Sequence, residues 1–185
     1  MYESRAIDNY EFKEIIDTLR EGYLDHRPNV QVATILILEA NLGCRIGDIV
    51  NLRTDSFVYD GGVWKLNISE QKTKKARRFV VPANVKAFID RWIDERNIQE
   101  GEKLFTIKAP AVWKALRQVT AFLDYENVSC HSFRKKIASD IYNQTHDIEV
   151  VREFLQHSSV TITQRYIKRS SHQLEEAIQG SVNII

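Results

Sequence analysis

Near the start of the chain the apolar residues fall on one helical face. Phe12, Ile15, Ile16 and Leu19 follow the i, i+3, i+4, i+7 spacing, with charged residues between them. Asp8 and Glu11 have the form of a capping box, so the helix is predicted to begin at Asp8. Gly22 and Arg27-Pro28-Asn29 then turn the chain. From Val30 to Leu42 the polar positions almost vanish, over a stretch too short to span a bilayer, which predicts the buried central helix of a domain. Gly43 ends it. A short helix is predicted to restart across 45–52, leaving Arg45 at a helix junction.

The pattern then changes from helical to alternating. β-formers cluster over 56–59, 63–69 and 78–81, and Asp60-Gly61-Gly62 is a strong hairpin turn between the first two. The prediction is a small three-stranded antiparallel sheet. The basic run 72–78 is expected to form the turn and strand ends between the second and third strands, with Pro82 closing the last. After Pro82 helical stripes return: Val85, Phe88, Ile89, Trp92 and Ile93, then Val112, Leu116, Val119 and Leu123 behind Pro110. Phe133, Ile137 and Ile141 mark another helix, which puts Arg134 on the same side as His131. Asp147 is placed to cap the next, carrying Ile148, Val151, Phe154 and Leu155, and Leu174, Ala177 and Ile178 suggest a short amphipathic tail helix. The expected fold class is mainly α with a small three-stranded antiparallel β-sheet (α+β), one domain over residues 1–185.

A length of 185 residues fits one ordinary domain with a real core. No apolar run reaches membrane-spanning length and the first residues lack a signal-peptide pattern, so a soluble, cytoplasmic protein is expected. Cys44 and Cys130 are too few for a disulfide framework and lack metal-ligand spacing; both are expected to be buried small apolar residues. A net charge of +1 argues against binding nucleic acid through bulk positive charge. It leaves room for a local patch. Lys72, Lys74, Lys75, Arg77 and Arg78 place five cations within seven residues, and Arg134-Lys135-Lys136 forms a second cluster.

Candidate chemistry concentrates between Cys130 and Tyr166. His131-Ser132-Phe133-Arg134 is followed by Gln156-His157-Ser158-Ser159, and Tyr166 lies nine residues past His157. A guanidinium matches phosphate geometry, imidazoles exchange protons near neutral pH, and a tyrosine hydroxyl becomes a nucleophile once its proton is drawn away. On these residues alone, phosphate chemistry and a plain structural role as caps and core both stay open.

Taken together, Arg45, Lys72, His131, Arg134, His157 and Tyr166 form an ordered series that resembles the catalytic series of the tyrosine recombinases, the phage-integrase family. The likeness is carried by Leu42-Gly43-Cys44-Arg45-Ile46-Gly47-Asp48 around the first arginine and by Gln71-Lys72-Thr73-Lys74-Lys75-Ala76-Arg77-Arg78 with Pro82 in the hairpin. The H-x-x-R box His131 to Arg134, and Leu155-Gln156-His157 with its tyrosine at the family's nine-residue offset, complete it. The resemblance covers roughly residues 7–179. It implies a tyrosine recombinase catalytic-domain fold and a site-specific DNA recombinase that cleaves and rejoins strands through a 3′-phosphotyrosine, with no cofactor and no metal. Tyr166 would be the nucleophile, Arg45 and Arg134 the phosphate clamp, and His157 a further donor. His131 would orient or accept the tyrosine proton, Lys72 would be the general acid with Lys74 the alternative, and Asp48 would brace the site. Lys74, Lys75, Arg77, Arg78 and Lys135 are expected to contact DNA.

Two positions depart from the family's usual pattern: Lys135 stands where a histidine commonly follows the box, and Gln156 where a glycine commonly precedes the second histidine. The N-terminal core-binding domain that family members usually carry is also expected to be absent, so the chain reads as a fragment or as a stand-alone switch recombinase. Double-stranded DNA is the expected partner, with self-association to a tetramer on DNA, a monomer when free, and the tail 167–185 docking on a neighbouring subunit. No membrane and no small-molecule substrate are expected. The alternatives are a type IB topoisomerase-like DNA relaxation activity and a non-catalytic DNA-binding regulatory module.

Overall fold

The buried helix predicted over 30–42 is the axis of the molecule. The structure, a computed structural model, describes residues 4–164 and Tyr166, so the predicted tail helix lies outside the described residues. The elements are α1 (Asn9–Glu21), α2 (Val30–Leu42), α3 (Ile46–Ile49), β1 (Phe57–Asp60), β2 (Val63–Ser69) and β3 (Ala76–Val80). They are followed by α4 (Ala83–Glu95), α5 (Ala109–Phe122), α6 (Cys130–Thr145), α7 (Ile148–Leu155) and α8 (Val160–Gln164). A run apolar on nearly all sides is stable only when covered on nearly all sides. Accordingly α2 buries Val32, Ala33, Ile35, Leu36, Leu38, Ala40 and Leu42, packing chiefly against α6 and α1.

Local signals set the boundaries. Asp8 and Glu11 form the predicted capping box, Asp8 Oδ1 accepting from the Glu11 N–H at 2.8 Å and Glu11 Oε2 from the Asp8 N–H at 3.1 Å. Asp147 accepts from the Glu149 N–H at the start of α7. Gly61 and Gly62 take φ of 61° and 82°, the positive pair that a two-residue hairpin between Asp60 and Val63 requires. Strands β1, β2 and β3 pair in that order, both pairs antiparallel.

Two elements differ from expectation by more than one residue. The short helix predicted across 45–52 is confined to α3, with Arg45 as its N-cap in extended conformation. The third strand starts at Ala76, within the basic run, instead of at Arg78. Its register pairs Arg77 with Ile68 and Arg78 with Asn67. Because side chains alternate across a strand, Arg77 and Arg78 point to opposite faces, and Arg77 is the one turned inward.

Candidate active site

Three segments meet at the C-terminal end of α2. Gly43 caps that helix in the left-handed conformation, φ 56°. The carbonyls of Leu42 and Gly43 are freed from the helix ladder, and the negative end of the helix dipole lies there. Two arginines use them. Arg134 Nη1 donates to the Gly43 carbonyl at 2.6 Å and Nη2 to that of Leu155 at 2.7 Å, tying α6 to both the α2 end and the α7 end. Arg77 Nη2 donates to Leu42 O at 3.1 Å and Gly43 O at 3.2 Å. Arg134 and Arg77 are each only 1% exposed. Guanidiniums tolerate this burial where carbonyls and a carboxylate accept from them, although Arg77 Nε has no partner among the described residues. Among the described residues two of the five N–H donors of Arg134 are spent in this way, and the guanidinium has others to offer a ligand.

Arg45 reaches the same place from the start of α3. Its Nη1 bonds Glu70 Oε2 at 2.5 Å, and Glu70 Oε1 faces Arg77 Nη1 at 3.4 Å. Thr73 Oγ1 donates to Glu70 Oε2 at 2.7 Å. Burial by itself would raise the Glu70 pKa, but the Thr73 hydroxyl, Arg45 and Arg77 together hold it below the usual value, so the group is an anion among cations. Asp48 links the same parts: its Oδ1 accepts from the Gln71 N–H at 2.8 Å, fastening α3 to the β2–β3 turn that carries Lys72.

The imidazoles feel this positive field. His157 is buried, and burial followed by Arg134, Arg45 and Arg77 lowers its pKa to about 4, with Glu70 opposing. It is a neutral ring at physiological pH, its Nδ1 3.1 Å from Thr163 Oγ1. His131, in the first turn of α6, is open to solvent on one side. Crowding by the protein and then the charges of Arg134, Arg45, Lys135 and Lys72 lower its pKa as well, so it too can accept a proton. Tyr166 packs against Ala138, Val151 and Leu155, its ring edge-on to His157 with centroids 4.9 Å apart. Behind Arg134 lies Glu39, whose carboxyl oxygens are buried with no hydrogen-bond partner among the described residues. Burial raises its pKa well above the usual range, with Arg134 opposing.

The structure thus gathers Arg45, Arg134, His157 and Tyr166 around one point, with Lys72 near enough on its exposed turn for its charge to reach His131. No group of three His, Cys, Asp or Glu among the described residues could hold a metal ion. Residues 5–173 match the model of the phage integrase family. The chain belongs to that family.

Its relatives include a probable integrase/recombinase of Bacillus subtilis (strain 168), YoeC, 29% identical over 140 residues that make up 72% of this chain and 75% of YoeC. In structure it is similar to the XerH site-specific recombinase in a post-cleavage complex with its palindromic difH substrate. The TM-score is 0.76 at 18% identity, over 94% of this chain and 52% of that one. It is also similar to the catalytic domain of bacteriophage HP1 integrase, TM-score 0.68 at 17% identity, over 97% of this chain and 96% of that one. The chain spans between 50% and 75% of the length of the first curated relatives it matches. No helix among the described residues is long and apolar enough to cross a membrane.

Within this integrase fold two of the cations expected to contact DNA, Arg77 and Lys135, have buried side chains. Arg77 is held inside by the α2 carbonyls, by Glu70 and by the rings of Phe79 and Phe154, 4.9 and 5.4 Å from its guanidinium. Lys135 is 5% exposed, its Nζ donating to Ser4 O at 2.5 Å and lying 5.3 Å from the Tyr166 ring centroid. Both are interior cations. Lys72, Lys74, Lys75 and Arg78 remain on the surface. Cys44 and Cys130 are buried free thiols; burial pushes Cys44 up to about 11 and raises Cys130 as well, so neither is a ready nucleophile.

Gln156 closes α7 at φ 54°, a conformation that favours glycine. Its Nε2 donates to Ala76 O at 3.0 Å, a bond to β3 that glycine could not make and that offsets the backbone strain. Glu70 is the site residue that sequence reasoning missed. Its signal was faint: one acidic residue at a strand end, two before the candidate lysine.

Proposed function

We propose that this chain is the catalytic part of a site-specific DNA recombinase that transfers strands through a covalent 3′-phosphotyrosyl intermediate. The Tyr166 oxygen attacks the scissile phosphorus, the P–O5′ bond breaks, and the energy of the phosphodiester is kept in the new P–O bond. His131, neutral in this field, takes the tyrosine proton, and Lys72 gives one to the leaving 5′ oxygen. Arg45 and Arg134 neutralise the nonbridging oxygens of the pentavalent phosphorane, so charge is balanced by guanidiniums. With the Thr163 hydroxyl donating to its Nδ1, His157 carries its proton on Nε2 and adds a further donor. Rejoining is the same path reversed, with the 5′ hydroxyl as nucleophile. Four copies on two duplexes would exchange strands in pairs.

The observation that supports this reading most is the meeting of Arg45, Arg134 and His157, brought from three distant segments, beside the ring of Tyr166. The test is covalent trapping. Duplexes with a randomised arm and a nick just beyond the crossover position release the 5′ fragment on cleavage, so the adduct cannot reverse. Wild type is expected to give a protein–DNA band that survives denaturant, and Tyr166→Phe none. Absence of any adduct with wild type, or an adduct that persists in Tyr166→Phe, would defeat the reading.

A further inference from the structure

We propose that Glu70 is a positioning residue: its buried carboxylate aims the Arg45 guanidinium at the scissile phosphate and ties that arginine to the turn bearing Lys72. The inference rests on the strand-transfer reading above.

Glu70 follows directly on β2 and is fully buried, 0% exposed. A carboxylate is held in such a place only if its lone pairs are used. Here they are used by the site itself: Arg45 Nη1 at 2.5 Å and Thr73 Oγ1 at 2.7 Å on one oxygen, Arg77 Nη1 at 3.4 Å on the other. Its main chain closes the turn, the Glu70 N–H donating to Lys75 O at 3.0 Å and its carbonyl accepting from the Lys74 N–H at 2.9 Å. One residue therefore bonds the first arginine with its side chain and brackets Lys72 with its backbone.

Arg45 needs such a partner. As N-cap of α3 it makes no side-chain capping bond, and its side chain is 22% exposed, so its own helix does not orient it. A long side chain left unpaired at that edge would spread over many rotamers. The contact to Glu70 engages one nitrogen of the planar fork and leaves the others for an incoming phosphate. Arg77, pinned between Glu70 and the α2 carbonyls, sets where the carboxylate stands. The single negative charge also offsets the mutual repulsion of Arg45, Arg77 and Arg134.

Adduct formation by wild type, Glu70→Gln and Glu70→Asp can be timed on three versions of one trapped duplex: an ordinary scissile phosphate, a methylphosphonate, and a 5′-bridging phosphorothiolate. A methylphosphonate lacks the nonbridging charge that a guanidinium clamp neutralises. A bridging sulfur leaves without needing a proton. Glu70→Gln is expected to slow cleavage of the ordinary phosphate about a hundredfold, the order of one lost transition-state donor, and to fall within about tenfold of wild type on the methylphosphonate. Glu70→Asp, which keeps the charge with a shorter reach, should lie between.

Equal loss on all three substrates would overturn the proposal as general damage to the fold. Loss cured by the phosphorothiolate alone would overturn it in favour of a role through Lys72. A second readout needs no cleavage: in 15N spectra of the free protein the Arg45 side-chain nitrogens should be resolved in wild type and averaged by rotation in Glu70→Gln. Unchanged signals would also overturn it. If wild type gives no adduct on any substrate, the strand-transfer reading fails, and these spectra alone decide whether Glu70 holds Arg45.

Discussion

Lowering the pH probes the electrostatics of the site through one ring. His157 is 7% exposed, and burial together with Arg134, Arg45 and Arg77 takes its pKa from 6.5 to about 4. In the unfolded chain the same ring titrates near the ordinary value. The folded state therefore refuses a proton that the unfolded state accepts. The contribution of the neutral ring is complete above the unfolded pKa of 6.5 and is lost as the pH falls from there toward about 4. At about 1.4 kcal/mol per unit, the loss approaches about 3 kcal/mol at the bottom of that window. Against a domain stability of about 5–15 kcal/mol, that is measurable.

The assay is urea denaturation of wild type and His157→Gln from about pH 7.5 down to about pH 4, taking the difference between the two proteins at each step. Carboxylates titrate in both and cancel to first order, whereas glutamine does not titrate. Wild type should lose stability relative to the variant through this window, most steeply midway between the folded and unfolded pKa values. Parallel curves would refute the reasoning. So would a proton-NMR titration of His157 with its midpoint near the ordinary histidine value, since the three arginines would then not act on the ring as their positions require.

Gly43→Ala should lose about 2–4 kcal/mol in the same assay. A Cβ there would lie 2.4 Å from Phe154 Cε1 and would sit at φ 56°, which adds strain to overlap; Phe154→Leu in the same chain should restore the steric part only. Lys72→Ala should lower cleavage of ordinary DNA about a hundredfold or more and recover on a 5′-bridging phosphorothiolate. Lys74→Ala should leave that chemistry intact and reduce the slope of DNA affinity against salt by about one. A reversal of these two phenotypes would move the general acid to Lys74.

What could be read from the chain alone were the features written in local order. The capping box at Asp8 and Glu11, the all-apolar run that became α2, and the Gly61-Gly62 hairpin each depend on neighbours a few residues apart. The ordered series from Arg45 to Tyr166 was visible for the same reason: each motif is short. Tertiary structure decided the charges. A run of five cations in seven reads as a solvated patch, yet one strand beginning at Ala76 turned Arg77 inward while leaving Arg78 outside. That burial is stable because Glu70 and the carbonyls of Leu42 and Gly43 stand opposite it, partners up to 35 residues away in sequence. Lys135 went inside in the same way, to a carbonyl 131 residues distant. Apolar burial follows local periodicity. The burial of a charge depends on where its counter-groups lie in three dimensions, and the sequence does not print that distance.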